Sequence, residues 1–210
     1  MGRYVTYKRT TSQILKDAEE SLKTAEFGFS LLTEGPPNLK LCGLRNLVIF
    51  GRVVTFVLQN LRSTERKFDE WYINFQEEMK SDPLLLFFKE LRNTLEKEGA
   101  LKLHVKIHIK HFTFLQDLAR FGPPPPYAKS FFMGDQLGGS GWEIQLPDGS
   151  VSKYYVELPI DIGSVSLHFP ETPISHLGEK IEDSSIESLS NAYLQYLRDL
   201  LKEARKFFGP

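Results

Sequence analysis

Cysteine is almost missing from this sequence: Cys42 stands alone among 210 residues. A single thiol excludes an intramolecular disulfide and argues against a cysteine-based metal site. In an apolar helical stretch, Cys42 reads as a small core residue. Net charge is nearly missing too. The 26 Lys and Arg residues against 27 Asp and Glu leave −1, so no global basic field recruits a polyanion, although local patches stay open. No uninterrupted apolar run approaches the roughly 20 residues of a membrane span. The opening residues, Met1 to Thr11, carry no apolar segment behind their basic side chains. Gly2 and Thr6 match the spacing of an acylation motif, but Arg3 and Tyr4 give it a poor context. These absences predict a cytoplasmic chain with no membrane contact.

What is present is ordinary for a globular protein: 41% hydrophobic and 25% charged residues. A chain of this length buries roughly 70% of its unfolded surface and needs no metal or disulfide to fold. Apolar residues recur at helical spacing from about Thr11 to Glu34, through Ile14, Leu15, Ala18, Leu22, Ala25, Phe29 and Leu32. Gly35-Pro36-Pro37 ends that helix. From Leu39 to Ser63 the apolar residues cover more than one face, which predicts a central helix. Thr64 to Lys80 continues with Phe68, Trp71, Tyr72, Phe75 and Met79. A fourth helix starts at Asp82, a natural N-cap, with Pro83 in the first turn, and stops at Gly99.

The period then changes. Leu101, Leu103, Val105, Ile107 and Ile109 alternate with Lys102, His104, Lys106, His108 and Lys110, the pattern of a half-buried strand. Four prolines, Pro123 to Pro126, require an extended loop. Short strands follow near 130–133, 142–146, 151–158 and 165–169. Pro147-Asp148-Gly149-Ser150 between two of them predicts a hairpin. A closing helix runs from about Ser184 to Phe208. The organisation read from these patterns is a helical bundle over 10–99, a β-rich insertion over 100–178 and a C-terminal helix over 184–208 that returns to the bundle.

Several candidate sites dissolve on inspection. His104 and His108 share a strand face but lie roughly 13 Å apart, too far for one ion. With Lys106 and Lys110 they read as a solvated face, and second as a basic contact surface for phosphate. His168 and His176 lack a carboxylate partner at ligand spacing, so no metal is expected. Gly138-Gly139-Ser140-Gly141 lacks the Lys and Thr of a phosphate-binding loop and reads as a hairpin loop. Ser140 has no nucleophile-elbow context. The 16 Phe and eight Tyr residues fall mostly on apolar stripes, as core. Phe131, Phe132, Trp142, Tyr154 and Tyr155 depart from that rule, because strand neighbours point to opposite faces.

Phe88-Lys89-Glu90-Leu91-Arg92-Asn93-Thr94-Leu95-Glu96-Lys97 resembles the Arg-Asn segment of HEPN domains, the nucleotide-binding family named for higher eukaryotes and prokaryotes. Phe68-Asp69-Glu70-Trp71-Tyr72 and the Asp82-Pro83 start add to that resemblance, which covers roughly residues 10–99. It implies a mostly α fold: a HEPN-like helical bundle with an antiparallel β subdomain inserted between the fourth and last helices. It also implies a homodimer, with RNA, a nucleotide or a protein as further partner, and a setting in bacterial defence or a toxin-linked system. Arg92, Asn93 and Lys97 become the ligand or nucleic-acid candidates. The catalytic His of that family is missing, with Lys97 near its place. An ordinary Lys stays protonated at neutral pH and makes a poor base.

The expectation is therefore a non-catalytic HEPN-like binding or assembly protein without a cofactor. Two alternatives stand beside it. One is a metal-independent ribonuclease using Arg92 and Asn93 with a base such as His104. The other is a nucleotide or small-molecule sensor. For Arg92 the plain reading is a structural ion pair, with Glu96 four residues on as the nearest partner. Arg45-Asn46 repeats the dipeptide on another helix.

Overall fold

A computed structural model describes residues 9–209. The Gly2–Thr6 stretch considered above lies outside the described residues. The chain forms two compact units. One, helical, holds the chain up to Ser30, Gly43–Leu101 and the chain from Thr172; the other, β-rich, holds Leu31–Cys42 and Lys102–Glu171.

The helix α1 (Thr11–Thr33), which belongs to the helical unit up to Ser30, buries Ile14, Leu15, Ala18 and Ala25 on one stripe. It meets α2 (Pro37–Leu58) closely: a Cβ at Gly28 would lie 2.6 Å from the Gly43 carbonyl oxygen and 2.7 Å from the Leu47 nitrogen. Glycine is what lets these two backbones approach. A 3-10 turn, Gln59–Ser63, extends α2. The combined stretch Pro37–Ser63 is long and apolar enough to cross a membrane by length and composition, although polar residues interrupt its apolar run. Its buried Leu44, Leu47, Val48, Val54 and Leu58 are also what a core helix shows. Cys42 is exposed, not part of the core.

Next come α3 (Phe68–Ser81) and α4 (Pro83–Glu98). Asp82 caps α4, its Oδ1 accepting from the Leu85 amide at 2.9 Å, and Gly99 closes the helix at φ 70°. The hairpin of β6 (Ser175–His176) and β7 (Glu179–Lys180) belongs to the same unit. It clasps the Asp82 carboxylate: His176 Nδ1 lies 3.0 Å from Oδ1, and the Leu177 amide donates to Oδ2 at 2.6 Å. Then α6 (Ile186–Phe208) begins on a Ser185 cap and buries Leu189, Tyr193, Leu197 and Leu200.

The β-rich unit contains two antiparallel sheets. β1 (His104–Ile109) pairs with β5 (Gly163–His168), setting His104 opposite His168, Lys106 opposite Ser166 and His108 opposite Ser164. Between them in sequence run the short α5 (Phe114–Asp117) and the sheet β2 (Ala128–Met133), β3 (Ser140–Gln145) and β4 (Val151–Val156), in that order. Trp142 is buried there, edge-on to Phe131 at 5.0 Å. In the β3–β4 turn, Asp148 Oδ1 accepts from the Ser150 amide and Gly149 takes φ 85°.

The β2–β3 loop is organised by one carboxylate. Asp135 Oδ1 accepts from the Leu137 and Gly139 amides at 2.9 and 3.1 Å. Its Oδ2 accepts from Lys153 Nζ at 2.9 Å and the Tyr155 hydroxyl at 2.7 Å. Burial alone would raise the carboxyl pKa, but these donors hold it below its ordinary value.

The expected fold class is corrected. Helix makes up 55% and strand 17% in three separate antiparallel sheets, which is an α+β mixture and not a mostly α, HEPN-like bundle. The physical reason lies in strand pairing. Alternation identifies a strand at 104–109, but its partner is β5 and not the neighbouring hairpin. The β6–β7 pair anchors on the α4 cap through Asp82.

Candidate functional site

Four helices of the helical unit converge on a cleft of about 310 Å³. Arg52, Thr55, Phe56 and Gln59 line it from α2 and its 3-10 extension, at the spacing that puts residues on one helix face. Tyr72, Gln76, Met79 and Lys80 come from α3; Leu85, Leu86 and Lys89 from α4; and Tyr193, Tyr196 and Leu197 from α6.

Tyr193 is held by packing on two sides. It is only 6% exposed, and its ring stacks on Phe88 with centroids 4.2 Å apart and planes 5° from parallel. Gly51 makes room for it, since a Cβ there would come 2.5 Å from Tyr193 Cε1. The Tyr193 hydroxyl makes no hydrogen bond among the described residues, although the ring lines the cleft. Burial pushes its pKa up while the nearby Arg52 charge pulls it down. Tyr72, 3% exposed, shows the same balance: burial raises its pKa, and Arg52 and the Gln59 side chain oppose that. Both phenols therefore stay protonated and act as donors near neutral pH.

Arg52 stands beside both phenols. Its Nη1 donates to Thr55 Oγ1 at 2.9 Å, and its guanidinium sits 4.4 Å from the Phe56 ring centroid. It forms no ion pair among the described residues. The cleft wall holds Arg52, Lys80 and Lys89 but no carboxylate and no histidine. Lys80 pairs with Glu77 at 3.0 Å and Lys89 with Glu90 at 3.3 Å, both exposed contacts that water screens. Behind the wall, Tyr196 donates to Glu78 Oε2 at 3.2 Å. The arrangement suits an anion with an apolar or ring-bearing body, and it offers no general base.

The residues singled out in the sequence lie elsewhere. Arg92 pairs with Glu96 at 3.0 Å, and its Nη1 donates to Asn93 Oδ1 at 3.1 Å. Its guanidinium lies 5.2 Å from the Phe56 ring centroid, yet Arg92 does not line the cleft. The Asn93 amide donates to Glu90 Oε2 at 3.4 Å, and Lys97 is exposed. Thus α4 brings Arg92 and Asn93 together around carboxylates, not around a pocket. In the other Arg-Asn pair, Asn46 donates to the Thr24 carbonyl at 3.0 Å, tying α2 to α1. Among the described residues, no group of three or more His, Cys, Asp or Glu is placed to hold a metal. Sequence reasoning missed Arg52, Tyr72 and Tyr193. The available signal was an Arg at the spacing Arg52-Thr55-Phe56-Gln59, interrupting the apolar second half of α2.

Comparison with known proteins points away from HEPN domains. A family profile described as bacteriophage lambda protein ea47 matches residues 38–131. Protein ea47 of Escherichia phage lambda is 33% identical over 98 residues, which is 46% of this chain and 23% of that protein. The chain therefore spans less than a quarter of that relative's length. No solved structure matches. The similarity to ea47 overturns the HEPN resemblance, and the homodimer and RNA-binding expectations drawn from that family lose their support with it. The matched stretch carries the α2, α3 and α4 walls of the cleft and stops before α6.

Proposed function

We propose that this chain is a non-catalytic binding protein of the cytoplasm whose helical unit holds a small anionic molecule. One observation carries the reading: a four-helix cleft lined by Arg52, which has no ion-pair partner among the described residues, by Lys80 and Lys89, whose partners Glu77 and Glu90 do not line it, and by no carboxylate. Phe56, Met79, Leu85, Leu86 and Leu197 supply an apolar surface for the rest of the ligand. This is the small-molecule sensor alternative, with its ligand among the helices at Arg52. RNA cleavage through Arg92 and Asn93 has no observation in its favour, because Glu96 already engages the guanidinium and no histidine lines the cleft.

Native mass spectrometry tests the proposal on protein purified without a denaturing step. The wild type is expected to carry a small-molecule mass increment, or to acquire one from a panel of small organic anions. Arg52→Ala should lose it while keeping the wild-type circular dichroism. A ligand retained equally by both proteins would overturn the assignment. So would a panel that leaves the wild type bare.

A further inference from the structure

Resting on that reading, we infer that the ligand's head is a phosphate monoester, gripped by the Arg52 guanidinium and the hydroxyls of Tyr72 and Tyr193. The donor inventory makes the case. Arg52 spends one Nη1 contact on Thr55 and keeps the rest of its five N–H donors. Tyr193 lines the cleft with a hydroxyl that makes no hydrogen bond among the described residues, and Tyr72, whose side chain also meets Gln59, adds a second phenol to the same lining. Lys80 and Lys89 add two ammonium groups to the wall. A carboxylate offers only two oxygens to such a set. A phosphate monoester offers three terminal oxygens and carries about −1.5 to −2 charge at neutral pH.

The chain itself contains the comparable arrangement with its acceptor built in. In the β2–β3 loop, a Tyr hydroxyl, a Lys ammonium and two amides converge on the Asp135 carboxylate. In the cleft, two Tyr hydroxyls and an Arg converge with no acidic side chain among the lining residues. Donors that line an open cleft without an acidic partner are free to meet an acceptor supplied by a ligand. The cleft volume, about 310 Å³, lies near the lower end of small-molecule pockets, which fits one head and about one ring. The Phe56 face and the Leu86 and Met79 side chains give that ring its surface.

NMR titration of the whole protein with phenyl phosphate, benzoate and inorganic phosphate tests this, using wild type, Tyr193→Phe and Arg52→Ala. Phenyl phosphate is expected to bind at least about tenfold tighter than benzoate, and its affinity to rise between pH 5 and 7.5 as its second proton, with pKa about 6, leaves. Benzoate, a carboxylate ionised across that range, should show no such rise. No histidine lines the cleft, so the pH response is the ligand's own. Tyr193→Phe should weaken phenyl phosphate about tenfold, the usual effect of losing a hydrogen bond to a charged group. It keeps the ring stacked on Phe88, so its melting temperature should match wild type.

Equal binding of benzoate and phenyl phosphate, with no pH response, would overturn the phosphate inference and leave the anionic-ligand reading standing. Tight phenyl phosphate binding that ignores both substitutions would overturn the floor assignment. Inorganic phosphate binding as tightly as phenyl phosphate would overturn the ring-bearing body. No binding of any probe at millimolar concentration would overturn both readings.

Discussion

Two polar clusters, one in each unit, are built from similar donors and completed differently. In the β-rich unit the Tyr155 hydroxyl, the Lys153 ammonium and two backbone amides all end on Asp135. In the helical unit Tyr72, Tyr193 and Arg52 face a cleft whose wall supplies no carboxylate. The first cluster serves the fold: it fixes a glycine-containing loop by satisfying every donor. The second leaves a fixed donor set turned outward, held by packing through Gly51 and Phe88. The contrast separates polar groups that maintain the fold from those available to a ligand.

The largest effect should come from removing the internal acceptor. Asp135→Ala leaves Lys153, Tyr155 and two amides without their partner and should cost about 2 to 4 kcal/mol, read by urea unfolding. Gly51→Ala attacks the other cluster through packing. Its Cβ would sit 2.5 Å from Tyr193 Cε1, so a loss of about 1 to 3 kcal/mol is expected, together with weaker ligand binding. Should Gly51→Ala bind ligand as the wild type does, the position of Tyr193 does not matter to the ligand.

Titration should separate the clusters by direction. The Asp135 carboxyl is held below its ordinary value, so its contribution is present above about pH 3.9 and fades as pH falls through the lower folded value. Trp142 fluorescence, in the same unit, should report that acid transition, and Asp135→Asn should remove its steepest part. Tyr193 is shifted the other way: its pKa is raised by burial, so its contribution is present below about pH 10 and is lost as pH rises through the folded value. Alkaline melting of the helical unit should therefore be eased by Tyr193→Phe. The smallest effect belongs to Arg92→Ala, which breaks an i,i+4 pair between a half-buried Arg92 and an exposed Glu96 and should cost about 0.5 to 1 kcal/mol, with no change in ligand binding. A ligand lost with Arg92 would move the site back to α4.

Much of the local structure was legible because it rests on local rules. Asp82, Pro83 and Gly99 mark α4 at both ends, and alternation over 101–110 marks β1. Partner choice was not legible. Nothing in the alternation of β1 says that it pairs with Gly163–His168 and leaves β2–β4 as a separate sheet. The cleft was missed for a related reason. Its lining joins residues 52–89 to 193–197, and only packing shows that Arg52 and Tyr193 are neighbours. Arg92 drew attention because a dipeptide is easy to see in sequence, whereas its partner Glu96 is the ordinary i,i+4 neighbour.

The clasp on Asp82 carries a consequence for the order in which the protein matures. The α4 cap and its partners His176 and Leu177 are 94 and 95 residues apart in the chain. At ribosomal rates of about 5 to 20 residues per second, roughly 5 to 20 s separate the emergence of one from the other. During that interval Phe88 lacks the Tyr193 ring that covers it, and the cap lacks two of its hydrogen-bond partners. A nascent chain halted before residue 175 should thus expose an apolar face that the full-length protein hides, making it a substrate for chaperones and proteases.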